Sequence, residues 1–213
     1  MHIPDGILPA AVCGAGYAAT VPIVWYSVRK INQEANPRES IPKAAILTAA
    51  FFVVSWIHIP VPPTSVHLVL NGLLGAVLGY YAFPAILIGL FFQAVMFQHG
   101  GLTTLGVNAI VMGVPALLAY HIFRLRNIRG EAGRITTGIF GFLAGSCAIG
   151  LSAGLFLVIL VSFIGAGFDV EIERAAIYTL AVAHVPLMFI EGTFTALVTV
   201  FLHRVRPRML DYA

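Results

Sequence analysis

The sequence predicts an all-α membrane protein, a bundle of seven transmembrane helices that forms one domain over residues 1–213. Hydrophobic residues make up 59% of the 213 residues and charged residues only 10%, whereas soluble domains have roughly 45–50% apolar and about 25% charged residues. Long uncharged runs alternate with short polar or proline-rich segments, as expected for helices that cross lipid. The net charge is +3. The charged side chains lie at the ends of these runs, which argues against a nucleic-acid partner.

The predicted helices follow the uncharged runs. Residues 68–98 contain no charged side chain, and about 31 helical residues at 1.5 Å each would exceed a hydrocarbon core of about 30 Å. Pro84 is therefore expected to break this stretch into two short helices. The seven predicted spans are residues 9–26, 44–57, 68–83, 84–98, 106–123, 135–164 and 175–202.

The orientation follows from the basic residues, because short cytoplasmic loops of membrane proteins collect Lys and Arg. With seven spans, all but Arg174 fall on one side of the membrane. They are Arg29, Lys30, Arg38 and Lys43 in the first loop, Arg124, Arg126, Arg129 and Arg134 between spans five and six, and Arg204, Arg206 and Arg208 in the tail. The N-terminus is therefore predicted outside and the C-terminus in the cytoplasm.

The N-terminus then places a possible metal chelator on the outer face, in residues 1–8. The start Met1-His2-Ile3-Pro4-Asp5-Gly6 has no basic region typical of a signal peptide, and the bulky second residue is expected to leave Met1 in place. The Met1 amine, the amide nitrogen of His2 and its imidazole can close a five- and a six-membered ring on one ion. A fourth nitrogen would complete a square-planar site, as favoured by Ni(II) or Cu(II).

Three other histidines on the predicted outer face can supply that fourth nitrogen, namely His58, His67 and His99. Each could also be an ordinary interfacial residue. His67 is favoured because a proline-stiffened loop precedes it and a predicted helix follows. Asp5 is expected to orient an imidazole by hydrogen bonding.

Three motifs together resemble the CbiM/NikM family. They are the opening Met1-His2-Ile3-Pro4-Asp5-Gly6, His67 after a proline-rich loop with Asn71-Gly72 following, and His99-Gly100-Gly101-Leu102-Thr103-Thr104-Leu105-Gly106-Val107-Asn108. Proteins of this family are the substrate-binding S components of energy-coupling-factor importers for cobalt or nickel. The resemblance implies that the ligands are the Met1 amine, the His2 amide nitrogen and ring, and the His67 ring. The residues expected to support or close the site are Asp5, His58, Asn71, His99, Thr103 and Asn108.

The resemblance also implies partners and a location. An S component works with a transmembrane coupling subunit, two ATP-binding subunits and often a small accessory membrane protein, in the lipid of a prokaryotic cytoplasmic membrane. This chain has no phosphate-binding loop motif of its own. Ala45 and Ala49 form a small-residue helix face expected to dock the coupling subunit. Nickel is favoured over cobalt as substrate by the Irving–Williams order, and no cofactor is expected.

A second function is compatible with two ionisable residues in the last span. His184 and Glu191 are seven residues apart and share a helix face. They could form a hydrogen-bonded pair that ties helices together, or they could be part of a proton relay. In the latter case the chain would be a proton-coupled or channel-like metal transporter that needs no ATPase. Enzyme activity is not expected, because the sequence has no His-Glu-x-x-His motif.

Overall fold

The computed structural model describes residues 2–61, 64–128, 130–163 and 170–210. In this part of the chain seven α-helices and one β-hairpin follow one another. They are α1 (Ala10–Ile31), α2 (Ile41–Val54), β1 (His58–Val61), β2 (Thr64–His67), α3 (Asn71–Leu78), α4 (Ala82–Phe97), α5 (Leu105–Arg124), α6 (Arg134–Ser162) and α7 (Val170–Val205). Short 3₁₀ turns lie at Pro37–Ser40, Gly79–Tyr81, Leu125–Asn127 and Pro207–Leu210.

The helical, multi-pass membrane character of the sequence prediction is confirmed. Among the described residues, five helical runs are long and apolar enough to cross a membrane. They are Ala10–Ile31, Asn71–Phe97, Leu105–Asn127, Arg134–Ser162 and Tyr178–Val205. Helix α2 has 14 residues and is about 21 Å long at 1.5 Å per residue, so it is shorter than the apolar core. Seven membrane crossings and the orientation of the termini therefore stay predictions.

The break in the long uncharged stretch lies at Gly79 and not at Pro84. Helix α3 ends at Leu78, Gly79 has a positive φ of 60°, and α4 begins at Ala82 after one 3₁₀ turn. Glycine has no Cβ and adopts this backbone conformation without strain. Pro84 is the third residue of α4, within the first turn, where a helix has no hydrogen-bonding partner for the amide that proline lacks. The predicted position of the break was therefore wrong.

The segment predicted as a loop before α3 is an antiparallel hairpin. Strand β1 pairs with β2 in the register His58–His67, Ile59–Val66, Pro60–Ser65 and Val61–Thr64. Pro60 is tolerated because a two-stranded hairpin leaves one edge of each strand unpaired. The hairpin delivers His67 at its end, four residues before α3 begins.

Helix α3 is the centre of the bundle, and all eight of its residues are buried. Two glycines allow this position. A Cβ at Gly72 would lie 2.6 Å from the Cα of Gly145 in α6, and a Cβ at Gly75 would overlap the carbonyl oxygen of Ala116 in α5. Small residues let membrane helices pack with their backbones in contact. The helix that follows His67 is therefore held by close contacts with its neighbours.

Glu191 of α7 caps the N-terminal end of α3. Its carboxylate accepts hydrogen bonds from the backbone N–H groups of Val69 and Leu70, the latter at 3.0 Å. A negative group is favourable at a helix N-terminus. His184 instead hydrogen-bonds through Nδ1 to the carbonyl of Leu180 at 2.6 Å. The proposed bond between His184 and Glu191 is therefore wrong, because each has its own backbone partner, and Glu191 ties α7 to the segment that carries His67.

Candidate metal centre

The N-terminal segment lies against the start of α5, where the side chain of Asn108 forms two hydrogen bonds to its backbone. The Ile3 N–H donates to Oδ1 of Asn108 at 2.9 Å, and Nδ2 of Asn108 donates to the Ile3 carbonyl at 3.0 Å. Thr104 Oγ1 donates to the same carbonyl at 2.6 Å. Ile3 is fully buried and Asn108 is 2% exposed. Asn108 therefore satisfies both backbone groups of the residue next to His2.

Asp5 fixes the other end of this segment to the loop before α5. Its carboxylate accepts hydrogen bonds from the backbone N–H groups of Leu102 and Thr103 and from the Thr103 hydroxyl. These bonds, led by that of the Thr103 side chain, lower the pKa of Asp5 below its ordinary value. Gly101 lies against Asp5 with no room for a Cβ. The expectation that Asp5 orients an imidazole was wrong, since its bonds anchor the segment to this loop.

His99 is positioned by the C-terminal end of α4. Gln98 adopts a left-handed conformation with φ of 53°, and the His99 N–H returns to the carbonyl of Gln93 at 3.1 Å. The Gln98 N–H bonds to the carbonyl of Ala94 at 3.1 Å, which is the αL type of helix end. Gly100 follows with φ of 87°. A Cβ added to this glycine would lie 3.5 Å from Cβ of His2. The turn therefore brings the loop at residues 99–101 against the N-terminal segment.

His2, His67 and His99 form one cluster in which each can offer a ring nitrogen, all within 4.8 Å of one another. Ring centroids are 4.1 Å apart for His2 and His99, and 5.2 Å for the two pairs that include His67. Imidazole nitrogens bind a divalent ion such as Zn(II) at about 2.0–2.1 Å, so two ligands on opposite sides of the ion are about 4 Å apart. Ligands at right angles on one ion are about 3 Å apart, so a movement of up to about 2 Å would bring these nitrogens around one ion.

The tautomer of His67 follows from one hydrogen bond. Its Nδ1 lies 2.9 Å from the carbonyl oxygen of Leu68, which can only accept, so Nδ1 carries the proton and Nε2 carries the lone pair. Metal-bound histidines are commonly held by such a bond from the second ring nitrogen. His67 is 7% exposed, and its ring is fixed in a form that can bind a metal through Nε2.

The surroundings of His2 favour the neutral form of its ring. Burial lowers the pKa of His2 well below its ordinary value of 6.5, and the neighbouring His99 and His67 lower it further. Only the unprotonated nitrogen of an imidazole binds a metal. His2 is therefore available as a ligand without first losing a proton at neutral pH.

The remaining predicted residues have separate places. Asn71 donates to Ser152 Oγ at 2.8 Å and to the Met112 carbonyl at 3.2 Å, so it holds α3 to α5 and α6. Thr103 binds Asp5. The backbone of His58 pairs with that of His67, but its side chain lies outside the described residues. Met1 also lies outside them.

Gln93 is the residue of this site that sequence reasoning missed. It is fully buried in α4, and its Oε1 lies 2.8 Å from Nε2 of His2. Its Nε2 donates to Ser55 Oγ, just after α2, at 2.9 Å. The signal in the sequence was a lone amide in an apolar run, since polar groups inside a membrane are costly and usually functional.

Comparisons with known proteins give a consistent result. The family model of the cobalt uptake substrate-specific transmembrane region, CbiM, matches residues 2–209. The chain is 33% identical to a putative cobalt transport protein of Methanocorpusculum labreanum, over 99% of this chain and 92% of that one. It is 36% identical to the fused nickel transport protein NikMN of Rhodobacter capsulatus, over 62% of this chain and 38% of that one. A crystal structure of a truncated transition metal transporter superposes with a TM-score of 0.73, at 26% identity over 96% of this chain and 99% of that chain.

Proposed function

Because the chain belongs to the CbiM family of cobalt-uptake substrate-specific transmembrane regions, we propose that it captures one Ni(II) or Co(II) ion per chain at the outer face of a prokaryotic cytoplasmic membrane. The observation that carries this proposal is the convergence of His2, His67 and His99 from three separate segments, with ring nitrogens within 4.8 Å. The family is a transporter component and not an enzyme, so the ion is the substrate.

The proposed ligands are four nitrogens in one plane. Three come from the first two residues, namely the Met1 amine, the His2 amide nitrogen and the His2 ring. The fourth is Nε2 of His67, whose other nitrogen is bound to Leu68. The plane then has no place for His99, which lies against His2 and can approach the ion only from above or below. A plane of four nitrogens suits Ni(II), and the Irving–Williams order also favours Ni(II) over Co(II).

Energy for import would come from partner subunits, as in an energy-coupling-factor importer with a coupling subunit, two ATP-binding subunits and a small accessory membrane protein. The proposed docking surface is an open apolar groove of about 530 Å³ between α2 and α4. Ala45 and Ala49 on α2 are exposed there, opposite Ile88 and Phe92 of α4. Small residues beside large exposed apolar ones allow another helix to approach closely.

The docking surface is tested by Ala49→Trp, which would fill the groove. Co-purification with the coupling subunit should be lost, while Ni(II) binding to the isolated chain should be unchanged. An Ala49→Trp chain that still assembles and supports uptake contradicts this docking surface.

The capture function itself is tested by calorimetric titration of the purified chain with Ni(II) and Co(II). One ion per chain is expected. Uptake into proteoliposomes should then require the partner subunits and ATP. Absence of saturable binding contradicts the proposed capture, and uptake by the chain alone without ATP favours a carrier or channel.

Affinity for Ni(II) should fall as pH is lowered from 8 to 6. The Met1 amine, with an ordinary pKa of about 7.7–8.0, is increasingly protonated in this range, and the His2 amide must also release its proton to bind. The His2 ring adds little competition because its pKa lies well below 6.5. Each proton that the metal displaces lowers the affinity for Ni(II) about tenfold per pH unit. We therefore expect the affinity to fall by between about 10- and 100-fold for each unit of pH.

This pH dependence can be measured as Kd at pH 6, 7 and 8, with released protons counted in buffers of different ionisation enthalpy. An affinity that does not change over this range contradicts the amine and amide ligands.

A further inference from the structure

We propose that Gln93 is a positioning residue for metal capture: its side-chain amide fixes the tautomer of His2, so that Nδ1 of that ring faces the ion with its lone pair. This inference rests on the proposed capture function and adds a residue outside the motifs that identify the site.

The orientation of the Gln93 amide follows from its second partner. The Ser55 hydroxyl donates to the carbonyl of Phe52 at 2.8 Å, so its single proton is used and its oxygen accepts. The amide NH₂ of Gln93 therefore donates to Ser55 Oγ, at 2.9 Å. The amide oxygen is thus the atom that faces His2, at 2.8 Å from Nε2.

The tautomer of His2 follows from that oxygen. An amide oxygen only accepts, so Nε2 of His2 must carry the proton, and the lone pair of the neutral ring lies on Nδ1. Nδ1 is buried and has no hydrogen-bond partner among the described residues. A buried acceptor without a partner costs roughly 1–3 kcal/mol, and a bound cation would remove this cost.

The same nitrogen is the one that chelation requires. Nδ1 lies close enough to the backbone to close a six-membered ring on an ion that also binds the His2 amide, whereas Nε2 points away from the main chain. The contact with Gln93 thus selects the tautomer that can chelate. A hydrogen bond from the second nitrogen also raises the basicity of a ligand imidazole, and loss of such a partner usually lowers metal affinity by about 10- to 100-fold.

The location of Gln93 supports a positioning role. It is fully buried in α4, where a leucine would occupy a similar volume without a polar group to satisfy. Its two partners belong to different parts of the chain, the N-terminal segment and the residue that follows α2. The side chain therefore holds the ring of His2 in a fixed relation to both α2 and α4.

Two substitutions separate positioning from packing. In Gln93→Leu the ring loses its partner, and Ni(II) affinity should fall by about 10- to 100-fold. In Gln93→Glu a carboxylate accepts the same proton, and affinity should equal or exceed that of the wild type. A packing role gives the opposite order, since leucine suits a buried apolar site and glutamate buries a charge. Gln33→Leu, at an exposed glutamine near the first loop, is the matched control.

A measurement on the metal-free protein makes the test independent of the capture function. Ring ¹⁵N chemical shifts of His2 should show the Nε2–H tautomer in the wild type and a mixture of tautomers in Gln93→Leu. Unchanged shifts in Gln93→Leu, or Ni(II) affinity equal to that of the wild type, overturns the proposal. If no form binds Ni(II), the capture function fails, while the shifts still report on the contact between Gln93 and His2.

Discussion

Replacement of His67 by alanine is expected to lower Ni(II) affinity by about 100- to 1000-fold, and His99→Ala by no more than about tenfold. Four-ligand sites bind Zn(II) with apparent free energies of about 10–16 kcal/mol, so one ligand accounts for roughly 3–4 kcal/mol. In the proposed site the N-terminal chelate fills three positions of the plane and leaves one. His67 is the proposed ligand there because its Nδ1–H is bound to Leu68, which directs the lone pair to Nε2.

Competition with a chromophoric chelator measures both variants under identical conditions. His203→Ala, at the end of α7 far along the chain from the cluster, is the matched control and should bind as the wild type does. The reverse order, with His99→Ala the weaker binder, would place His99 in the plane and contradict the ligand set proposed above.

The second large effect is expected for Asn108→Leu. This substitution leaves the N–H of Ile3 without its acceptor and removes one of two donors to the Ile3 carbonyl. A buried backbone group that loses its partner costs about 1–3 kcal/mol, and Ile3 is fully buried. The N-terminal segment should detach more often, and Ni(II) affinity should fall by about 10- to 100-fold.

Detachment has its own readout, because the segment that it frees carries the N-terminal amine. Reductive methylation of that amine should proceed faster in metal-free Asn108→Leu than in the wild type, with Asn127→Leu, at an exposed asparagine, as control. Equal methylation rates and equal affinity would show that Asn108 does not hold the segment in place.

Much of the fold was predictable because lipid imposes simple constraints on sequence. Helices that cross it must be long and uncharged, and five such runs appear in the described chain. The break between α3 and α4 was predicted at Pro84 instead of Gly79 because proline was taken as a helix breaker. Proline is in fact acceptable in the first turn of a helix. The hairpin before α3 was missed because its prolines indicate a loop.

The proximity of His2 and His67 was predictable because both residues lie in local motifs. Asp5 was assigned the wrong partner because its true partners, Leu102 and Thr103, are distant in sequence, and nothing in the local pattern indicates that contact. Gln93 was missed for the same reason. Its role depends on a helix packing that brings α4 beside the N-terminal segment, which periodicity alone does not define.

The most direct test of the proposed N-terminal chelate is Ni(II) binding to the chain with a native N-terminus and to a form extended by a few residues. The extension should be removable by a protease that restores Met1 as the first residue. It moves the charged amine away from His2 without altering the helices. Tight binding of one ion to the native chain, its loss in the extended chain and its recovery after cleavage are expected. Equal binding by the extended chain would contradict the N-terminal chelate and leave His67 and His99 as the ligands to study.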